Sequence, residues 1–178
     1  MKKLLGLVAL TGLILALLSA CGGKSDHNDA DISFASGMVP HHEQAVVMAD
    51  QALKTSKNDV VRALATNIKA AQDPEITKMK SWLDDWDSHG SMDHGDMGSM
   101  GHGEGMMSDD EMKSLDSATG AAFDTAWLNL MIKHHEGAVA MSKTELKDGT
   151  SAKAKKLARQ IITSQNGEIA NMKELLKQ

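Results

Sequence analysis

The chain has 178 residues, 19 basic against 24 acidic side chains for a formal net charge of −5, thirteen methionines, one cysteine and no tyrosine. That acidic balance gives no electrostatic footprint for nucleic acid, though it attracts cations, and one cysteine excludes a disulfide framework or a thiolate metal site. With only two Phe and three Trp, the core must be built from Leu, Ile, Val, Ala and Met, which suits closely packed helices.

Lys2 and Lys3 precede an apolar run from Leu4 to Leu18, followed by Ser19-Ala20-Cys21. This is the pattern of a cleaved export signal over residues 1–20, and the run is short for a spanning helix of about 20 residues. Its ending resembles the lipobox of bacterial lipoproteins, which makes Cys21 the expected lipidation site. The expected location is therefore an exported lipoprotein anchored to the cell envelope, in the periplasm or on the outer surface of the membrane. Without the leader, 158 residues remain with a net charge of −7, enough for one domain. Residues 21–30 read as a flexible tether, with His27 solvated.

From Asp31 to Lys54, Phe34, Met38, Ala45, Met48, Ala49 and Ala52 recur at spacings of three and four, one face of a helix. Pro40 is expected to bend it or restrict its first turn. After a polar turn at Thr55 to Asn58, a second helix is expected from about Asp59 to Asp87, with Leu64, Ile68, Ile76, Met79 and Leu83 inward and a kink or loosened turn at Pro74. Residues 31–87 thus form one helical hairpin. The stretch 88–107 is a Gly, Met, His and Asp-rich linker that lacks large aliphatic residues and cannot form a core. Ser108 to Glu111 has the form of a capping box, opening a short helix that ends near Ala118 to Gly120. A second hairpin follows, from about Ala121 to Lys147 and Ser151 to Lys177, turning at Asp148-Gly149. Residues 108–178 make the second unit, and 31–178 one domain.

The two hairpins are copies. Met-x-x-His-His-Glu-x-Ala-Val-x-Met occurs at Met38 to Met48 and again at Met131 to Met141, 93 positions on, and Leu64, Gln72, Glu75 and Met79 recur in the same register as Leu157, Gln165, Glu168 and Met172. One unit used twice makes an all-α, antiparallel four-helix bundle of two repeated hairpins the natural closure.

Adjacent residues on a helix point about 100° apart, so His41 and His42 cannot share one seam. One is free to face the hairpin partner and the other the second copy. Met38, His41, His42, Met48 and Met79 make one candidate metal site, with Met131, His134, His135, Met141 and Met172 as its copy. Imidazole and thioether together favour Cu(I) and, by the same softness, Ag(I), whereas zinc more often recruits Cys or carboxylate. Packing competes as an explanation for the methionines. Gln72, Glu75, Gln165 and Glu168 fall on inner faces, where a carboxylate can orient a ligating imidazole; Glu43 and Glu136 face outward. The linker supplies a separate candidate set, His89, Met92, His94, Met97, Met100, His102, Met106 and Met107, on a chain flexible enough to wrap an ion.

The elements Phe34-x3-Met38-x2-His41-His42-x2-Ala45-x2-Met48 and Gln72-x2-Glu75-Ile76-x2-Met79-x2-Trp82-Leu83 resemble the domain of unknown function 305 family, and Phe123 to Leu176 resembles it again. The resemblance implies a ferritin-like bundle, exported and linked to copper or silver handling through Met and His. Pro40 appears in one copy alone, and Gln44 stands where the other has Gly137, so the two sites are not equivalent. The leading expectation is a membrane-anchored copper-binding protein for sequestration or transfer, without catalysis, exchanging ions with copper-transport proteins. Two alternatives stand beside it: a ferritin-like metal-dependent oxidase, against which no Glu-x-x-His occurs in either copy, and a structural or partner-binding module without metal.

Overall fold

A computed structural model of the chain describes residues 26–89 and 103–178. The expected leader, Cys21, Met92, His94, Met97, Met100 and His102 lie outside the described residues, as does the side chain of His89. Among the described residues five helices make up an all-α bundle: α1 (Asp29–Thr55), α2 (Asp59–His89), α3 (Asp109–Ser117), α4 (Gly120–Asp148) and α5 (Ala152–Leu175). The pairs α1 with α2 and α4 with α5 are the two hairpins. Ser108 and Glu111 close the capping box that opens α3, as their spacing predicts, and Asn28 with Asp31 forms another at α1.

Neither proline interrupts its helix. Pro40 and Pro74 both lie on exposed faces, where the carbonyl that each leaves without its helical donor can turn to water. Both helices run on through their prolines without a break.

The hairpins meet through α1 and α4. The rings of His41 and His134, equivalent residues of the two repeats, lie 3.8 Å apart between centroids. Trp127, seven residues before His134, donates its indole N–H to the carbonyl of Met48, seven residues after His41, at 2.8 Å. Hence α1 and α4 run antiparallel, and a local twofold axis passes between the two histidine rings. Small buried residues, Ala45, Ala49 and Ala138, let the helices approach. The core divides on either side of this crossing. One half holds Met48, Phe123, Trp127, Met131 and Met172; the other holds Phe34, Met38, Met79, Trp82 and Trp86, with Met141 partly buried against it.

Two expectations at the edges are corrected. His27 is not solvated: it stacks on Trp86 at 4.8 Å, because the chain before α1 lies against the exposed end of α2. Nor does the linker run free to residue 107. Helix α2 continues to His89, and Gly103 to Met107 folds onto the bundle with Met107 fully buried in the core beside Leu115 and Met131. One methionine side chain at the end of a glycine-rich stretch finds room under α3, which the composition of the stretch as a whole did not suggest.

The start of α1 is clasped by the turn between α4 and α5. Asp31 accepts hydrogen bonds from the backbone of Thr150 and Ser151, at 3.1 and 2.9 Å, and from the Thr150 hydroxyl at 3.1 Å. Burial works to raise its carboxyl, but these N–H donors and that of Asn28 outweigh it and hold Asp31 below the usual carboxylate range. Against it lies Glu145, 1% exposed, pushed up to about 8 by burial and then by the neighbouring Asp31. Glu145 therefore keeps its proton at neutral pH and can donate it to the Asp31 carboxylate. Gly149 leaves space for this carboxyl, since a Cβ there would stand 2.3 Å from Glu145 Oε1.

A folded-state value of about 8 against the ordinary 4.5 means that this contact stabilises fully below about pH 4.5 and is lost as pH rises to about 8. Glu145→Gln, which donates at every pH, is expected to gain in thermal midpoint over the parent through that window and to hold a constant advantage above it. A parallel pair of melting curves from pH 4 to pH 9 would show otherwise if the difference were flat.

Candidate metal centre

The 100° offset between neighbouring helical residues separates the paired histidines into two roles. His42 turns to its hairpin partner, where Nε2 meets Glu75 Oε2 at 2.9 Å, and His135 repeats the contact with Glu168 at 2.7 Å. A carboxylate offers lone pairs alone, so Nε2 is the donor in both. His41 and His134 instead face each other across the twofold axis. All four imidazoles are fully buried.

Each of the four has a buried Nδ1 with no hydrogen-bond partner, and His134 lacks one at Nε2 as well. Buried polar atoms are nearly always satisfied, so five orphaned ring nitrogens around one crossing call for an explanation. Burial, followed by the nearby His42, pushes His41 down to about 3; burial, then His41, holds His134 well below the ordinary imidazole range. Both rings are neutral at pH 7, and a neutral imidazole carries one lone pair. These nitrogens fit a metal ion, because deprotonated imidazole is the ligating form.

The thioethers are distributed differently from the expected sets. Met38 and Met48 are ten residues apart on one helix, about 15 Å along its axis, and cannot reach one ion. The antiparallel crossing places Met48 with Met131 and Met172, and Met141 with Met38 and Met79. Each end of the seam thus draws two methionines from one repeat and a third from the other. Apart from the half-buried Met141, these methionines are fully buried. Among the described residues no three His, Cys, Asp or Glu side chains converge to hold an ion.

Gln72 is buried with neither amide atom paired, and Gln165 is buried with its Oε1 unpaired. Glu43 and Glu136 are half exposed and pair with Lys80 and Lys173, at 2.6 and 3.0 Å. Met106 is half-buried at the surface of the bundle. One contact has no counterpart among the repeated side chains: the backbone carbonyl of Glu104 accepts from His41 Nε2 at 3.2 Å. A main-chain acceptor carries no signature in a sequence.

The family pattern described as Domain of unknown function (DUF305) matches residues 31–176. The chain belongs to the DUF305 family. Among solved structures, a DUF305 protein from Streptomyces coelicolor is 34% identical with a TM-score of 0.75, over 83% of this chain and 92% of that one. CopM in its Cu(II)-bound form is 33% identical with a TM-score of 0.69, over 83% of this chain and 95% of that one. CopM has also been solved in Cu(I)-bound, Ag-bound and apo forms that match over the same share of this chain. Uncharacterized protein L153 of Acanthamoeba polyphaga mimivirus is 36% identical over 55 residues, and the match spans 36% of that relative's length.

The two His–Glu contacts are related by symmetry and lie in separate hairpins. Glu75→Ala and Glu168→Ala each strand a buried N–H, and each is expected to cost about 1–3 kcal/mol. Urea unfolding should give similar losses for the two and an additive loss for the double variant; a negligible change at both would remove the orienting role.

Proposed function

We propose that this protein is a soft-metal carrier of the cell envelope, binding Cu(I) and Ag(I) for sequestration or transfer without catalysis. The observation that supports it most is the set of orphaned, buried imidazole nitrogens at the crossing of α1 and α4, flanked at each end by three of the repeated methionines. Imidazole with thioether selects monovalent copper and silver. The copper-bound and silver-bound forms of CopM, a protein of the same architecture, point the same way. The donor set lacks the Glu-x-x-His element of ferritin-like oxidases, which favours holding an ion over turning one over.

Three parts of the reading extend it beyond the described residues. Lipidation at Cys21 would retain the protein at the membrane. The His and Met residues from His89 to His102 would add a second set of soft donors. Neutral thioether and imidazole ligands suit exchange with other copper proteins.

Anaerobic Cu(I) or Ag(I) competition titration separates the two ligand sources. Substituting the six His and Met residues between 89 and 102 by Ser is expected to lower the stoichiometry and leave tight binding in place. Adding His41→Ala, His42→Ala, His134→Ala and His135→Ala to that protein should abolish the remainder. Tight binding that survived all ten changes would defeat the bundle site.

A further inference from the structure

Three of the four paired histidines have Nε2 held by an oxygen. For His42 and His135 that oxygen is a carboxylate from the hairpin partner, repeated by symmetry. For His41 it is the Glu104 carbonyl, which belongs to neither hairpin. His134, the equivalent of His41, has no acceptor in hydrogen-bond geometry at either ring nitrogen, although the His41 backbone lies close enough to favour its proton. The symmetry of the centre is therefore broken at one atom.

What brings that atom to His41 is visible in the strap from Gly103 to Met107. A turn closes through Met106 N–H to the Gly103 carbonyl at 2.9 Å, with Gly105 at φ 86°, a left-handed conformation that suits glycine. The strap lies backbone to backbone on α4. A Cβ at Gly137 would stand 2.0 Å from the Glu104 carbonyl oxygen, and one at Gly105 would stand 2.7 Å from the Gly137 Cα. On α1, the Gln44 side chain grips the strap from both sides of one residue: its Nε2 donates to the Met107 carbonyl at 2.9 Å, and its Oε1 accepts the Met107 N–H at 2.7 Å. Below this, the Met107 side chain is anchored in the core.

Gln44 and Gly137 occupy the same position of the repeated motif, directly after its Glu. One repeat supplies an amide to hold the strap, and the other supplies the absence of a side chain to admit it. Exchanging them would leave neither function. The divergence at this position is thus explained by a single docked segment laid across a symmetric seam.

We propose that the Glu104 carbonyl, set in place by Gln44 and Gly137, is a positioning group for His41. By accepting from Nε2–H it fixes the tautomer that leaves the Nδ1 lone pair free for a soft metal, the service that Glu75 and Glu168 perform for His42 and His135. His134 has no such oriented acceptor. The half of the centre built on His41 is preset, the half built on His134 is not, and the two halves differ in affinity. This inference rests on the soft-metal reading above.

The test uses the full chain labelled with 15N at histidine, compared with Gln44→Ala and Gly137→Ala. Long-range 1H–15N spectra report which ring nitrogen bears the proton, and Ag(I) competition reports affinity. In the parent, His41 is expected wholly in the Nε2–H form and His134 in a mixture of tautomers. Both variants should move His41 toward a mixture and weaken Ag(I) binding about tenfold or more, the scale on which orienting partners act. Gln44→Ala removes two hydrogen bonds without a clash, so it keeps the comparison open if Gly137→Ala fails to fold. An unchanged His41 signature in the folded variants would overturn the proposal, as would a changed signature with unchanged Ag(I) affinity. No Ag(I) uptake by the parent, together with loss of the signature in the variants, would sink the soft-metal reading and leave the positioning contact standing.

Discussion

The 3.8 Å approach of His41 to His134 is the contact from which the rest of the bundle is laid out. Equivalent residues that touch lie at a local twofold axis, so this contact sets the register of α1 against α4, and the Trp127–Met48 bond sets their antiparallel direction. Trp127 then falls on Met48, and the methionines regroup across the seam. The contact is also costly, since it puts two imidazoles where water cannot reach them and where two positive charges could not both persist. Burial keeps both rings neutral. A packed helix pair would be more stable with apolar residues there, and the retention of unsatisfied imidazoles in both copies is what points beyond packing.

Much of this was legible in the sequence, and the reasons for the remainder are specific. The helices follow from apolar spacings of three and four, and the hairpins from the 93-residue register. The opposite facing of adjacent histidines follows from the helical repeat. The grouping of the methionines does not, because arithmetic within one copy cannot reveal that Met48 and Met141 serve the other. Glu145 gave no signal for a similar reason. Its equivalent is Ala52, and a glutamate near the end of a helix reads as solvated unless the partner that buries it is known. The Glu104 carbonyl is more hidden still, being main chain.

The hairpin turns are one place, away from the axis, where the repeats diverge. Each hairpin turn is tied down by different chemistry. The turn after α4 is held by Asp31 and covered by Glu145. The turn after α1 is held by Arg62, whose guanidinium donates to the carbonyls of Leu53 and Ser56. Asp124, the equivalent of Asp31, has a buried oxygen with no hydrogen-bond partner. At the axis a substitution in one copy would leave its twin facing a stranger, so His41 and His134 stay matched. A turn faces no copy of itself, and one strap can dock only once, so the constraint of symmetry lapses there.

That division bears on how a cargo ion would act on the protein. Under the soft-metal reading, each end of the seam binds through methionines of both repeats, so a bound ion joins the hairpins to each other as well as filling a site. Ligand that binds the folded seam and not the open chain stabilises it by mass action, about 2.7 kcal/mol at a hundredfold excess over Kd. The seam without cargo holds orphaned nitrogens that cost stability; with cargo the same atoms contribute to it. The duplication thus couples loading to the cohesion of the two halves, a coupling that a single hairpin, however rich in histidine and methionine, could not provide.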